Sequence, residues 1–587
     1  MTLDGWCGRI LHLDLSNGNT SVEEPDVGIY RQWIGGRGLA GLFLEPHVTR
    51  DPEDPCMPLL LFTGPLVNTS SPTSGRSTFM SRSPLTGAIC DASVGGTLGT
   101  ELKRSGFDGI VMTGRAERPC GVEINGESVV FTDARDLVGD TLPRLNDRLR
   151  GKGARAACGP AAHHGVRFAS IMVDRAHAAG RGGLGLVFAN KNLKYITVKG
   201  RGKTPVHDSE ELAKAREDVF RLVSASPALL GEFGISRYGT AALYDLISQR
   251  GMTPTANFRR TWYPHTPRVN AHAVARAYRP KKAGCRGCHV LCKKKGAEGP
   301  LPEYETLSHF TALLENPVLE VAVAANRLCN ETGMDTISAA VTLACHAEIK
   351  GLRPAPDDIV SMLGNIAHGR GQGVDMGQGA VRYAARRGRP ECAMAVKGLE
   401  LPAYDPRGAY GMALAYATST RGGCHLRAYP ISHEILRKPV ATNRFSFEGK
   451  ARIIKIAEDA NAVVDSLTAC KFVFFAASLE EYARVYSAVT GYPATGHELL
   501  RVGARIYDRE RRMNAACGFD AADDVLPERF FHAPENAAGD PTAPPLPRED
   551  FFRARHDYYK VRGLDENGLP VSIPTERGAS RSFARKD

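Results

Sequence analysis

Long apolar runs are missing from this 587-residue chain. None approaches the ~20 residues a bilayer-spanning helix requires, and Met1 to Leu15 carries Asp4 and alternates in polarity instead of forming a signal-peptide core. Membrane insertion is therefore not expected, and the cytoplasm is the expected compartment. Repeats at a period of about 20 to 50 residues are also lacking, as are low-complexity tracts, which excludes solenoid and array architectures. Aromatic residues are few, at 7%. With 43% hydrophobic and 24% charged residues, the chain is an ordinary globular one, long enough for about three to five domains. Acidic residues fall short of basic ones, 64 against 75, giving a formal charge of +11. That excess is compatible with an acidic protein partner or a nucleic acid and identifies neither.

Glycine is abundant, with 61 residues, many concentrated in GGRGLAG at 35–41, TSSPTSGR at 69–76, ASVGGTLG at 92–99 and AAGRGGLG at 178–185. These read as tight loops packed against something flat or anionic. Two of them satisfy G-x-G-x-x-G, at Gly36, Gly38 and Gly41 and at Gly180, Gly182 and Gly185. Neither lies clearly between a buried strand and a helix, so a dinucleotide site is the weaker reading. Around the loops the first two hundred residues are β-rich. Leu11, Leu13 and Leu15 alternate before an Asn17-Gly18 turn, and Val122 and Ile124 precede Asn125-Gly126 and Val129 to Phe131, a pattern that predicts two hairpins.

After about residue 203 the periodicity becomes helical. Asp208/Ser209 caps a helix with Leu212, Ala215, Val219 and Leu222 on one face. Asn316 and Pro317 start another that Gly333 ends, and Asp335 caps the next as far as Gly351. Residues 451–464 predict a helix with Ile453, Ile456, Ala460 and Val464 on one side, stopping at Asp465. The proline-rich segment 534–549 reads as a strap, followed by a helix from Arg548 to Lys560 and a basic tail. The expected division is 1–203, 204–415 and 416–587.

Fourteen cysteines without an export signal favour free thiols and metal ligands over disulfides. Most are scattered. Cys285, Cys288 and Cys292 instead form C-x2-C-x3-C, which suits a four-iron cluster with one distant thiolate, or zinc with His289 or a remote ligand. Cys424 and Cys470 are the candidates for the fourth position. Arg76 and Arg181 stand in glycine-rich loops where a guanidinium and backbone N–H groups can hold phosphate. Glu305 in PEYET and His425 in GGCHLR are candidate proton-handling groups, although a lone residue of either kind is more often structural. Asn330 to Asp335 and Asp465 to Cys470 read as turns at helix ends.

Taken in order, GRILHLDLSNG, WIGGRGLA, SPTSGRS, SRSPLTGAICDASVGG, GFDGIVMTGRAE, AAGRGGLG, CRGCHVLC, PEYETL, GMDTIS, ATSTRGGCHLRAYP, DSLTACKF and YYKVRGLDENGLP give the chain a near full-length resemblance to the aldehyde ferredoxin oxidoreductase family of tungsten enzymes. The resemblance implies an α+β chain: an N-terminal β-sheet base for two pterins on one tungsten (or molybdenum), followed by two mainly α-helical domains. It implies Cys470 as the fourth ligand of a [4Fe-4S] cluster with Cys285, Cys288 and Cys292. It also implies Glu305 as a base for water and His425 as a donor to the carbonyl oxygen. Pterin contacts fall on Arg76, Ser93, Gly95, Arg181, Gly182, Asn330, Gly333, Asp335, Asp465 and Ala469, with Mg2+ bridging the pterin phosphates. Three departures stand out: Ser93 where the family commonly has asparagine, Asn330 in place of the first aspartate of DxxGLD, and Thr468-Ala469 where DxxGLC has Gly-Leu.

The implied reaction is oxidation of an aldehyde to a carboxylic acid, with electrons passing to ferredoxin or an iron-sulfur partner subunit and the chain forming a homodimer or hetero-oligomer. The alternatives are other low-potential chemistry such as aryl-thioester ring reduction, or a non-catalytic iron-sulfur or zinc protein that binds nucleic acid, which the resemblance does not favour. Lys293, Lys294 and Lys295 follow the third cluster cysteine directly and suggest a docking patch for the electron partner.

Overall fold

The computed structural model describes residues 3–571; most of the basic tail lies outside them. The first two hundred residues form two six-stranded mixed sheets. In the first, β1 (Ile10–Asp14) turns at Asn17-Gly18 into the antiparallel, largely exposed β2 (Asn19–Glu23), and runs parallel to β6 (Gly109–Thr113). Antiparallel β3 (Leu59–Phe62), β4 (Ser77–Arg82) and β5 (Ile89–Val94) complete it in the order β2-β1-β6-β3-β4-β5. The second hairpin also forms, as β7 (Cys120–Asn125) and β8 (Ser128–Asp133). With β9 (Ala154–Cys158), β10 (Ile171–Val173), β11 (His177–Ala179) and β12 (Leu193–Lys199) it makes the order β11-β10-β9-β12-β7-β8.

The edge strands β5 and β11 bring the two sheets together. Past the end of β5, a Cβ at Gly95 or Gly96 would press on the His177 ring of β11, at 3.0 and 3.4 Å. Only glycine lets these edges approach so closely, and the loops leaving them open onto one cavity.

From residue 209 onward the structure is mainly helical. The Asp208 carboxylate accepts from the Glu210 and Glu211 amides at the start of helix Ser209–Ala225. Its inner face includes Val223, whereas the expected Leu222 is exposed. Helix Leu319–Thr332 begins two residues after the proposed Pro317 start, with Val318 as its N-cap and Asn316 Oδ1 accepting from the Val318 amide; Gly333 ends it in the left-handed conformation as expected. Asp335 caps Thr336–Lys350 through the Ile337 and Ser338 amides.

The helix expected to stop at Asp465 runs over Lys450–Leu467 and ends at Thr468, with Ile454 inside and Ile456 on the surface. Periodicity gave the helix but shifted its face, because Glu458 and Asp459 take buried positions by pairing with Arg562. Residues 534–547 form the strap, leading into helix Arg548–Arg562.

One glycine-rich segment departs from expectation. Residues 36–44 are a helix, Gly36–Leu44, and not a ligand loop. Gly36 faces the protein's own chain: a Cβ there would lie 2.3 Å from the Asp465 carbonyl and 2.8 Å from the Thr468 methyl. The Gly38 amide donates to Ser466 Oγ at 3.0 Å, and the Gly64 amide to Thr468 Oγ1 at 3.1 Å. Glycine there allows the DSLTAC turn to dock on the first sheet. Buried ion pairs lock the same junction: Arg37 Nε meets Glu510 Oε1 at 2.5 Å, and Arg427 binds Asp91 of β5. Among the described residues, no helix is long and apolar enough to cross a membrane.

Candidate active site

A cavity of about 460 Å³ lies where the two sheet edges meet the helices. At one end are Cys285, Cys288, Cys292 and Cys470, all free thiols. Residues 285–292 are a loop whose turns Gly287 and Leu291 adopt positive φ, and Cys470 follows the left-handed Thr468. Burial raises the Cys470 thiol to about 11, with Cys285 and Cys288 adding repulsion and Arg76 opposing it. The four thiols thus feel one another. No three Cys, His, Asp or Glu groups among the described residues are gathered tightly enough for a single ion. The four thiols line one chamber, which is the donor set a four-iron cluster requires. His289 turns away, with its ring edge-on to Phe220 at 4.3 Å.

Cys424, the other candidate for the fourth thiolate, faces elsewhere. It is buried, and its sulfur accepts from Arg421 Nη2 at 2.8 Å and the Leu426 amide at 3.3 Å. Burial opposes its ionisation, but Arg421, Arg427 and Arg181 bring its pKa down to about 7.

Arg76 lines the cavity within electrostatic reach of the thiols. Its Nε donates to Ser93 Oγ at 2.9 Å and its Nη2 to the Ser93 carbonyl at 2.8 Å. Burial alone would lower its pKa; Cys470, Cys285 and Asp465 reverse this and raise it. Arg181 is tied to protein on three sides, to the Gly423 and Glu400 carbonyls and to Asp335 Oδ2.

Gly95, Asn330, Asp335, Asp465 and Ala469 also line the chamber. Asp465 accepts from Lys471 Nζ at 2.8 Å. Gly182 and Gly333 do not line it. A Cβ on Gly182 would meet Cys90 Sγ at 2.2 Å, and Gly333 is a helix cap packed on Gly159. The residues lining the cavity include the basic groups Arg76, Arg181, Lys293, Arg421, Arg427 and Lys471 against the acids Asp91, Glu303, Glu305, Asp335 and Asp465. Arg421 Nε and Arg427 Nε are buried without a hydrogen-bond partner. A cationic lining with unpaired donors fits an anionic, phosphate-bearing cofactor.

Glu305 and His425 face each other at the far end. Glu305 sits in the short helix Tyr304–Ser308, with Oε2 accepting from the Ala403 amide at 2.7 Å. Its Oε1 lies 3.4 Å from His425 Nε2, and neither this oxygen nor His425 Nδ1 has a hydrogen bond within the protein. Burial pushes Glu305 up to about 8. Burial, together with Arg181 and Arg421, drives His425 well below the usual histidine range. Both shifts favour the neutral forms, a protonated carboxyl beside an uncharged imidazole.

Sequence reasoning missed the aromatic wall beside this pair. Tyr404 and Tyr429 rings lie 5.6 and 5.9 Å from the His425 ring, with their hydroxyls 3.1 Å apart. It also missed Glu303, whose Oε1 accepts from Lys293 Nζ at 2.6 Å beside the thiols. PAYDP and RAYP carry no local signal for such a wall; Glu303 was visible in PEYET but gave no sign of its partner.

The lysine run is not the patch it resembled. Lys293 is paired inside the chamber and Lys294 is buried against the Leu291 and Lys293 carbonyls, leaving only Lys295 exposed.

Residues 10–200 match the aldehyde ferredoxin oxidoreductase N-terminal domain, and residues 214–576 match domains 2 and 3 of the same enzyme. The chain belongs to the aldehyde ferredoxin oxidoreductase family. It is thus an oxidoreductase, and the alternative of a non-catalytic nucleic-acid-binding protein falls. It is 36% identical over 600 residues to the tungsten-containing aldehyde ferredoxin oxidoreductase of Pyrococcus furiosus, covering 97% of this chain and 98% of that protein. It is 34% identical over 606 residues to the enzyme of that name from Thermococcus kodakarensis, covering 98% and 99%.

A more distant relative is the WOR-like subunit of the Pyrococcus furiosus aliphatic sulfonate oxidoreductase, 26% identical over 622 residues, covering 96% and 95%. The fold is shared with the active-site complex BamBC of benzoyl coenzyme A reductase bound to 1,5 dienoyl-CoA. That likeness has a TM-score of 0.82 at 19% identity and covers 97% of this chain and 96% of the other.

Proposed function

We propose that this chain is a tungsten-bis-pterin oxidoreductase that converts an aldehyde and water to a carboxylic acid, releasing two protons and two electrons. The observation that carries this reading is the single cavity joining four thiols, Arg76 and the Glu305–His425 pair. Cys285, Cys288, Cys292 and Cys470 hold a [4Fe-4S] cluster, and Arg76, Arg181, Asn330, Asp335, Asp465 and Ala469 surround the pterins. Ser93, whose carbonyl accepts from Arg76, would help to hold Mg2+ beside the pterin phosphates. When bound, the tungsten-pterin group supplies the two-electron redox chemistry and the cluster a one-electron exit.

Glu305 and His425 manage protons. In its ionised form Glu305 Oε1 takes a proton from water, while the neutral His425 ring orients and polarises the aldehyde oxygen. Ala403 fixes the carboxylate through Oε2, so Oε1 stays aimed into the chamber. Tyr404 and Tyr429 close the side of the pocket and keep bulk water from the pair.

Electrons leave to ferredoxin or to an iron-sulfur subunit. Aldehyde-driven dye reduction by tungsten-replete protein tests the reading, with an aryl-thioester reduction assay as the opposing arm. Dye reduction with aldehydes and none with the thioester supports it; the reverse overturns it.

A further inference from the structure

We propose that Leu230 and Phe233, together with Lys281, Lys282 and Lys295, form the docking surface for a small acidic iron-sulfur electron carrier. This rests on the electron path proposed above but moves its exit away from Lys293 and Lys294.

The segment from Ser226 to Gly239 wraps over the thiol-bearing loops. At its start Ser226 Oγ donates to the Phe475 carbonyl at 3.2 Å, in the turn after Cys470. At its end a Cβ on Gly239 would lie 3.0 Å from the Cys292 carbonyl. Between these anchors Leu229 is buried in the core that Cys288 and Cys292 pack against. Leu230 and Phe233 point outward, 37% and 66% exposed. Phe233 is the most exposed large apolar side chain among the described residues. An aromatic ring left in water over a redox centre reads as an interface anchor.

The rim is basic. Lys281–Ala283 pairs antiparallel with Lys293–Gly296, setting Lys281 opposite Lys295 and Lys282 opposite Lys294. Like charges directly opposite destabilise a strand pair, so the folded state alone gives no reason for this arrangement. Lys281, Lys282 and Lys295 are exposed and none has a carboxylate partner among the described residues. Lys282 Nζ donates to Ser236 Oγ at 3.2 Å, which joins the hairpin to the Phe233 segment.

Residues 276–297 contain eight basic residues and no acidic one, and Glu232 is the one acid in 226–240. A partner with a negative surface and an apolar centre complements this, and long-range attraction would steer it to the half-buried cysteines beneath.

The test uses anaerobic holoprotein and a bacterial-type ferredoxin with two [4Fe-4S] clusters as the probe. Affinity is measured without aldehyde at low salt and at about 0.5 M salt, where the Debye length has contracted to a few ångströms. The parent should bind at low salt and weaken by about tenfold or more at high salt. Lys281→Glu/Lys282→Glu should lose binding together with its salt dependence. Phe233→Ser should weaken binding about fivefold and keep the salt dependence, as expected of an apolar anchor. Iron content and aldehyde-driven viologen reduction should match the parent in both variants.

Failure of the parent to bind, or variants that bind like the parent, would overturn the surface. A parent that binds ferredoxin but oxidises no aldehyde would instead overturn the catalytic reading and leave the surface standing.

Discussion

Raising the pH should switch on the Glu305 base. The carboxyl is moved from its ordinary 4.5 to about 8, mainly by burial. That corresponds to about 5 kcal/mol against the charged form. With a midpoint of 8, about a tenth of the protein carries the carboxylate at pH 7 and about nine tenths at pH 9. If proton removal from water limits turnover, kcat should rise about tenfold between these pH values.

A bound phosphate-bearing cofactor adds negative charge and pushes the midpoint further up, so the rise should be centred at or above 8 and tenfold is its lower bound. The assay is steady-state dye reduction with saturating aldehyde, with tungsten and iron measured on each preparation. Glu305→Gln should retain metal, lose on the order of a hundredfold in turnover and show a flat profile over this range. A parent whose rate is level or falling from pH 7 to 9, or a Glu305→Gln variant that keeps the rise, would refute the assignment.

Cys470→Ala should lose most of the cluster iron and the reduced-state EPR signal, whereas Cys424→Ala, whose thiol sits on Arg421 and outside the chamber, should keep both. Gly36→Ala would force a methyl to 2.3 Å from the Asp465 carbonyl at a positive φ, and should lower stability by about 2–4 kcal/mol and reduce pterin content, read by thermal inactivation and fluorescence of released pterin. Arg37→Met leaves the buried Glu510 carboxylate with only Thr420 and the more distant Arg427 and should cost about 3–5 kcal/mol, checked by denaturant-induced inactivation.

How far the sequence carried the argument depended on whether a feature was local. Hairpins at Asn17-Gly18 and Asn125-Gly126, the Asp208 and Asp335 caps and the Gly333 stop were legible because turn and cap chemistry is set within a few residues. The Gly36–Leu44 helix was not: Gly35 and Gly36 at its start answer to the carbonyls of Ser466 and Asp465, over four hundred residues away in sequence. Likewise Ile456 could not be told from Ile454 without knowing that Arg562 would bury Glu458. At the site, C-x2-C-x3-C was visible as a candidate ligand set, and only the family resemblance joined Cys470, Glu305 and His425 to it. The Tyr404–Tyr429 wall and the Lys293–Glu303 pair arise from packing between distant segments, which no spacing encodes. The lysine run misled because strand alternation sends Lys294 inward while Lys295 stays in water.

Aldehyde-dependent turnover measured against cofactor content is the most direct test of the proposed function. Anaerobically purified protein should contain stoichiometric tungsten, pterin and cluster iron, and its rate of aldehyde-driven viologen reduction should scale with tungsten occupancy. Protein replete in all three that oxidises none of a panel of aliphatic and aromatic aldehydes would contradict it.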